Sequence, residues 1–254
     1  MIPIKRAQEI DSMRRSGQAV AEVLDALMAL VQPGITTGEI DAEAAKIIRA
    51  RGGKSPFHGY RGFPGHICIS VNEEVVHGIG GRRKLVYGDL VKLDVGIVLD
   101  GWVGDTAASV PVGAVAPEVT RLCQQTERAL AAGIDKARAG NRLGDIGCAI
   151  EKNVSAAGYS VVKEFVGHGV GRSLHEEPQI PNYGKAGTGP LLKPGMTLAI
   201  EPMVNLGRSD VRILGDGWTV VAVDGKFSSH FEHTVLVTEG DPEILTCRKV
   251  TALK

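Results

Sequence analysis

Apolar residues recur at intervals of three and four in two stretches near the start of the chain, which is the spacing of an amphipathic helix. The first stretch covers residues 7–31 and stops at a Pro-Gly pair. The second begins at a Thr-x-x-Glu capping box at residues 36–39 and ends at a glycine pair. A second pair of helices is predicted from residue 117 to near 140 and from about 143 to 157.

Between these helical pairs lie two runs typical of β-strands, residues 90–99 and 102–112, separated by an Asp-Gly dipeptide. Asp-Gly between such runs is a strong signal for a two-residue hairpin turn. That turn places Asp94 opposite Ala107, so Asp94 and Asp105 become diagonal neighbours on one face, about 7 Å apart. A solvated edge hairpin is the alternative, but Asp is depleted in strands and the neighbours of Asp94 are apolar.

The two helical pairs are similar to each other in sequence. Five residues of the first pair recur 106 positions later: Gly34, Gly38, Glu39, Ile40 and Gly52 correspond to Gly140, Gly144, Asp145, Ile146 and Gly158. A displacement of 107 then relates Leu85, Gly88 and Asp94 to Leu192, Gly195 and Glu201. We expect an α+β fold with two pseudo-symmetric αα-β halves, about 7–112 and 117–238, around a central antiparallel sheet.

Composition narrows the class of protein. The 254 residues are 43% hydrophobic, enough to bury a large core as one domain. Lys+Arg and Asp+Glu both number 29, which argues against nucleic-acid recognition, and the basic groups at 5–6, 14–15 and 82–84 are expected to be solvated. The four cysteines lack disulfide spacing, which favours a reducing cytoplasm. Neither a signal peptide nor a membrane span is expected.

Five side chains that can bind a metal are scattered over the sequence: Asp94, Asp105, His168, Glu201 and Glu232. Four carboxylates brought to one point would repel each other unless cations lay between them. Oxygen-rich ligation with a single nitrogen suits Mn(II), Fe(II) or Co(II), and carboxylates that bridge suit a pair of ions. The set therefore predicts a dinuclear hydrolase site.

The glycine-rich segment 167–171 contains the histidine of this set. A phosphate-binding loop would need a helix to follow it, and Pro178 and Pro181 disfavour one there. We expect the glycines to let the backbone pass close to a ligand while His168 points inward.

Five short motifs together resemble one known family. They are KLDVG at 92–96, GDTA at 104–107, GHGVG at 167–171, IEPM at 200–203 and FEHT at 231–234. In order and spacing, over essentially the whole chain, they closely resemble the motifs of the type I methionine aminopeptidases. The resemblance implies a pita-bread fold and a single catalytic metallopeptidase domain over residues 1–254. It also implies a cytoplasmic monomer that removes the initiator Met from nascent proteins with a small second residue, with the ribosome as a further partner.

The resemblance also implies roles for the metal-binding set. Asp94 would chelate one ion, His168 and Glu201 the other, and Asp105 and Glu232 would bridge the two. The ions would be Mn, Fe, Co or Zn, and they would acidify a bridging water that attacks the scissile carbonyl. Glu201 would accept the proton of that water and later donate it to the leaving amine.

Two further histidines and an apolar pocket complete the implied site. His175 resembles the residue that hydrogen-bonds the carbonyl oxygen as it becomes an oxyanion, and His77 the residue near the scissile nitrogen. The implied methionine pocket involves Tyr60, Phe63, Cys68, His77 and Trp218, with Phe57 and Leu174 beside them. Phe63 and Leu174 depart from the family's commoner Tyr and Phe, which changes the pocket volume. An ideal hairpin at Asp224-Gly225 would put Trp218 on the face opposite Glu232 unless a bulge intervened.

Three alternatives remain open from the residues alone. Proline-directed peptidases such as prolidase and aminopeptidase P resemble the same ligand set, although they normally carry an additional N-terminal domain. A creatinase-type protein would lack part of the ligand set. A non-enzymatic pita-bread binding module would likewise have lost metal ligands, whereas all five are present here.

Overall fold

The computed structural model describes residues 1–248. Within them, four α-helices form where apolar periodicity predicts them: α1 (Ala7–Met28), α2 (Thr37–Ala50), α3 (Pro117–Lys136) and α4 (Leu143–Ala156). Thr36 caps α2 by accepting a hydrogen bond from the Glu39 amide, and the Glu39 carboxylate accepts one from the Thr36 amide. This is the predicted capping box. Tyr60–Gly62 forms a short 3-10 helix.

Fourteen strands form in the same residues: β1 (Cys68–Val71), β2 (Glu74–Val76), β3 (Leu90–Leu99), β4 (Trp102–Pro111), β5 (Ser160–Val161), β6 (Gly167–Gly169), β7 (Glu176–Ile180), β8 (Thr197–Ile200), β9 (Met203–Asn205), β10 (Val211–Ile213), β11 (Val220–Ala222), β12 (Ser228–His230), β13 (Glu232–Leu236) and β14 (Glu243–Ile244). The central sheet has the order β1-β3-β4-β13-β8-β6-β7, with β14 added to β13. All of its pairs are antiparallel. Two three-stranded sheets, β10-β11-β2 and β12-β9-β5, complete the structure.

The β3–β4 hairpin has the predicted register. Asp94 pairs with Ala107 and Gly96 with Asp105. Asp100 (φ 52°) and Gly101 (φ 77°) both adopt the left-handed conformation that a two-residue primed turn requires. The two aspartates therefore lie on one face, as expected.

Alternation along β3 separates the core from the opposite face of the sheet. Leu93, Val95 and Ile97 are fully buried in the hydrophobic core that the sheet forms with residues of all four helices. Because successive side chains of a strand point to opposite faces, Asp94 lies on the side away from that core. The helices thus cover one face of the sheet and leave the other for polar chemistry.

The two halves of the chain repeat the same hydrogen bonds. The Gly34 amide donates to the Leu85 carbonyl at 2.8 Å, and the Gly140 amide donates to the Leu192 carbonyl at 3.1 Å. An isolated bridge between Thr36 and Lys84 likewise recurs between Arg142 and Leu191. The predicted pseudo-symmetric αα-β arrangement around an antiparallel sheet is confirmed.

The ideal hairpin considered at Asp224-Gly225 does not form. The strand after Trp218, β11, pairs with β10 and β2, and the strand before Glu232, β12, pairs with β9. Trp218 and Glu232 therefore belong to different layers of the molecule and reach one cavity from separate directions. No bulge in a shared hairpin is needed to bring them together.

Lys5 was expected to be a solvated surface residue, and this prediction is wrong. Its side chain is 4% exposed, and its ammonium lies 2.6 Å from the Glu176 carboxylate. Its partner is 171 positions away in sequence, so local composition could not reveal the pair. Arg6 next to it remains exposed, as expected.

Candidate active-site cavity

A cavity of about 370 Å³ opens on the face of the sheet away from the helical core. Every side chain that the sequence nominated lines it: Tyr60, Phe63, Cys68, His77, Asp94, Asp105, His168, His175, Glu201, Trp218 and Glu232, together with Phe57 and Leu174. Residues separated by more than a hundred positions in sequence thus share one enclosed space.

The acidic end of the cavity is formed by four strands and one strand end. Asp105 on β4, His168 on β6 and Glu232 on β13 place one ligand atom each within 4.8 Å of one another. Glu201, just after β8, has Oε1 3.5 Å from His168 Nε2. Asp94 on β3 lines the same cavity, diagonal to Asp105 across the hairpin.

His168 has a defined tautomer. Its Nδ1 lies 2.9 Å from the carbonyl oxygen of Gly169, and a carbonyl oxygen can only accept, so Nδ1 bears the proton. The Nε2 lone pair then faces Asp105 Oδ2 at 3.7 Å and Glu201 Oε1 at 3.5 Å. A lone pair directed at two carboxylates is unfavourable unless a cation lies between them, and this arrangement is the one found in metal-binding histidines.

The buried carboxylates also fit a cation. Asp105 Oδ1 and Glu232 Oε1 are buried and have no hydrogen-bond partner among the described residues. Burial raises the pKa of Asp94 to about 7 and that of Glu201 to about 8. Burial, followed by the neighbouring carboxylates, raises the pKa of Asp105 and Glu232 well above the usual range. Divalent cations would offset this cost and satisfy the unpaired oxygens.

His175 and His77 lie around the acidic cluster. The His175 ring is 4.3 Å from that of His168, and its Nδ1 is 2.9 Å from the Tyr60 hydroxyl. Burial, then Arg61, lowers the pKa of His175, so the ring is neutral at pH 7. His77 has φ 60°, a left-handed conformation uncommon for a side chain of this kind, and such strain is typical of functional sites.

The opposite wall of the cavity is apolar. The Phe63 and Trp218 rings meet edge to face at 5.1 Å, and the Trp218 ring lies 6.4 Å from that of His77. Cys68 and Leu174 belong to the same buried cluster. This wall gives a long apolar side chain an apolar surface next to the acidic cluster.

Sequence analysis missed several residues at the site. His230 was not among the candidate site residues, yet it is fully buried. Its Nε2 lies 3.5 Å from Glu201 Oε2, and neither ring nitrogen is hydrogen-bonded in the described structure. Phe165, whose ring lies 5.4 Å from that of His77, also lines the cavity with Glu164. Phe165 stands two positions before the glycine-rich motif, which was the available signal. His230 had no signal beyond its position two residues before Glu232.

Glycines beside His168 allow strands to approach each other. A Cβ added at Gly167 would lie 2.3 Å from the Ala199 carbonyl oxygen, and one at Gly169 would lie 2.2 Å from that of Glu177. We expected these glycines to let the backbone pass close to a ligand. Instead, they let it pass close to the backbone of neighbouring strands. As predicted, the motif is followed by a strand, β7, and not by a helix.

The model of metallopeptidase family M24 matches residues 11–239. The chain belongs to metallopeptidase family M24. Among curated M24 relatives, the methionine aminopeptidase of Clostridium perfringens is 48% identical over 249 residues, which cover 98% of this chain and 100% of that protein. The methionine aminopeptidase 1 of Bacillus subtilis is 49% identical over 246 residues, covering 97% of this chain and 99% of that protein. The resemblance drawn from the motifs is confirmed.

Solved structures agree with the M24 fold. The methionine aminopeptidase of Rickettsia prowazekii has a TM-score of 0.96 at 42% identity and covers 97% of this chain and 100% of that one. The prolidase of Pyrococcus horikoshii has a TM-score of 0.78 at 19% identity, and only 65% of its chain is covered. That second likeness shows the shared fold alone. Within residues 1–248, no helix combines the length and apolar character needed to cross a bilayer.

Proposed function

We propose that this M24 metallopeptidase is a methionine aminopeptidase that removes the initiator Met from polypeptides with a small second residue. Residues 1–254 would act as a single catalytic domain. The main supporting observation is the cavity of about 370 Å³, in which an acidic cluster and an apolar wall adjoin each other. A scissile peptide bond at the acidic end would leave the methionine side chain against the wall.

Two divalent ions, Mn, Fe, Co or Zn, fit the donor set. In this proposal Asp94 would hold one ion, His168 and Glu201 would hold the other, and Asp105 and Glu232 would be shared by the two. The fixed Nε2 lone pair of His168 and the unpaired buried oxygens of Asp105 and Glu232 support this assignment. When bound, such ions lower the pKa of a water molecule to near neutrality and polarise the substrate carbonyl.

The chain's own residues would move the protons. Glu201 lies beside the cluster and would accept a proton from the attacking water and return it to the leaving amine. Its Oε2 faces His230, which leaves Oε1 on the side of His168.

His175 would donate a hydrogen bond to the developing oxyanion. If the Tyr60 hydroxyl donates to Nδ1 across the 2.9 Å contact, the single proton of the neutral ring lies on Nε2 and is available for donation. His77, which also lines the cavity, would contact the substrate near the scissile nitrogen.

The apolar wall would select methionine. Tyr60, Phe63, Cys68, His77 and Trp218 provide aromatic and polarizable surfaces, and sulfur packs favourably near aromatic edges. With Phe at position 63 the pocket gains no hydroxyl, which keeps this wall dry.

The substrates would be nascent polypeptide N-termini in the cytoplasm. We infer a monomer, because the ligand set and the pocket are complete within a single chain. The ribosome is the proposed site at which the enzyme meets its substrates.

A peptide panel tests the function directly. Purified protein loaded with Mn(II) should cleave Met-Ala-Ser faster than Leu-Ala-Ser, and should cleave Met followed by a bulky residue poorly. Faster cleavage of Ala-Pro or Leu-Pro peptides would instead support a proline-directed peptidase, which uses the same fold.

A further inference from the structure

The segment 170–175 connects β6 to β7 and places two side chains at the cavity. Leu174 and His175 both line that cavity, although the segment has no helical or strand structure of its own. A loop that must hold a catalytic ring in place needs anchors, because each freely rotating residue would otherwise spread the ring over many positions.

The carboxylate of Glu176 anchors this loop through hydrogen bonds. Glu176 Oε1 accepts hydrogen bonds from the backbone amides of Arg172, at 2.8 Å, and of Ser173, at 3.3 Å. The other oxygen, Oε2, accepts from the Lys5 ammonium at 2.6 Å. Glu176 is the residue directly after His175, so these three bonds fix the backbone on which the His175 ring is mounted.

The pair is shielded from water. The Lys5 and Glu176 side chains are 4% and 13% exposed. A Cβ at Gly171 would lie 2.5 Å from Glu176 Oε1 and 2.7 Å from Lys5 Cε, so a side chain at this position would displace the pair from where it packs against the loop. The Lys5 amide in turn donates to the Gly195 carbonyl at 2.8 Å, which attaches the N-terminal segment just before β8. A buried pair of this kind is held firmly, because separating it would leave an unpaired buried charge.

Neither Lys5 nor Glu176 lines the cavity, so they are placed to act on the reaction through His175 rather than on the substrate. We propose that the Lys5–Glu176 ion pair is a positioning element that holds His175 where it donates to the oxyanion. This inference rests on the proposed function and on the role assigned to His175. Together with the Tyr60 hydroxyl, which contacts the ring itself, the pair gives His175 two independent anchors.

Breaking the pair should lower kcat more than it raises KM. A displacement of about 1 Å in a catalytic group costs up to about 100-fold in rate. We expect Glu176→Gln, which keeps an oxygen for the two amides and loses the charge, to lower kcat about 10-fold. Lys5→Met, which removes the cation from the buried carboxylate, should lower kcat about 10- to 100-fold. Lys5→Arg, which keeps a cation there, should retain most of the wild-type kcat. KM should change by less than about threefold in each variant.

A double-mutant cycle separates positioning from general destabilisation. In a His175→Ala background, Glu176→Gln should have no further effect on kcat, because the ring that it positions is gone. Lys46→Met is the matched control, since it removes an exposed Lys–Glu pair of 2.8 Å on α2. Neither residue of that pair lines the cavity, so the variant should leave kcat unchanged. An equal loss of kcat on adding Glu176→Gln to wild type and to His175→Ala would overturn the proposal.

Hydrogen exchange tests the loop without any assay of activity. In the wild-type protein the amides of Arg172 and Ser173 should be protected, and in Glu176→Ala they should exchange at least 10-fold faster, while Mn(II) affinity measured by calorimetry stays the same. Unprotected amides in the wild type would refute the anchoring role even if every variant failed to fold. If the wild-type protein instead cleaves no Met-Ala peptide but protects these amides, the proposed function fails and the anchored loop stands.

Discussion

Replacing His175 by alanine should remove the proposed oxyanion donor and leave the acidic cluster intact. The His175 ring lies 4.3 Å from the His168 ring, and its only side-chain hydrogen bond among the described residues is the 2.9 Å contact with Tyr60. His175→Ala therefore deletes the donor while every proposed metal ligand keeps its own partners. The neutral ring offers one N–H, so a single hydrogen bond to the transition state is lost.

The expected size follows from that single bond. Removing one oxyanion-hole donor typically lowers kcat by about 10² to 10³, or roughly 2.7–4 kcal/mol. Tyr60→Phe keeps the His175 ring and removes only the hydroxyl that contacts Nδ1. Loss of one neutral hydrogen bond is worth about 0.5–1.5 kcal/mol, so this variant should lower kcat by no more than about 10-fold.

Steady-state kinetics on a Met-Ala-Ser peptide with saturating Mn(II) would measure both variants, and calorimetry would show whether Mn(II) affinity has changed. An unchanged kcat with a raised KM in His175→Ala would mean that the residue binds substrate in its ground state. If Tyr60→Phe lowers kcat as much as His175→Ala does, the assignment of His175 as the donor and of Tyr60 as its supporting partner is refuted.

Four further predictions concern the metal centre, the pocket and pH. Asp105→Ala should abolish turnover at any Mn(II) concentration, because a bridging ligand and its charge are lost. Removing metal with a chelator should abolish activity, and Mn(II) restored at 100 times its Kd should stabilise the fold by about 2.7 kcal/mol. N-terminal Met should be preferred over Leu by about 10- to 200-fold in kcat/KM. Burial lowers the pKa of His77 to about 4. Since the unfolded chain then binds a proton that the folded chain excludes, His77 should cost about 1–3 kcal/mol of stability as pH falls from 6.5 to 4, and His77→Gln should remove that cost.

Each of these predictions has a contradicting outcome. Near-normal turnover of Asp105→Ala in excess Mn(II) would remove the bridging assignment. Full activity after exhaustive chelation would exclude the metal mechanism. Equal kcat/KM for Met and Leu peptides would mean that the apolar wall does not recognise the thioether. Parallel pH–stability curves for wild type and His77→Gln, compared by urea denaturation, would show that His77 titrates normally in the folded protein.

The hairpin register, the helix bounds and the two-half organisation could be predicted from the sequence, because each depends on residues close together in the chain or on a repeated pattern. The Asp-Gly turn fixes the hairpin register, because both turn residues must adopt positive φ, and the register places Asp94 and Asp105 on one face. Helix bounds followed from apolar spacing, the capping box and proline. The repeated glycines identified the two halves, because each permits the same backbone hydrogen bond, as Gly34 and Gly140 show.

Long-range partners were beyond the reach of the sequence. Lys5 was expected at the surface because it forms a short basic group with Arg6, and only the folded chain brings it to Glu176. His230 lies in a short strand whose partner, β9, does not follow from local periodicity, so its contact with Glu201 was not foreseen. The partners of the strand that follows Trp218 could not be identified for the same reason: strands of three residues carry too little pattern to identify their neighbours.

The distribution of the proposed ligands over the two halves determines when, during synthesis and folding, the proposed metal site can form. The first half supplies only Asp94 and Asp105, and the remaining ligands come from the second half, with Glu232 near the end of the 254-residue chain. The two sets meet only when β13 pairs with β4, where Glu232 stands opposite Ala107. In this proposal, a site that needs both sets of ligands can therefore form only after β13 has been synthesised and has paired with β4. We expect a chain that stops before β13 to lack the tight metal site, because it would carry neither Glu232 nor the strand that joins the two sets of proposed ligands.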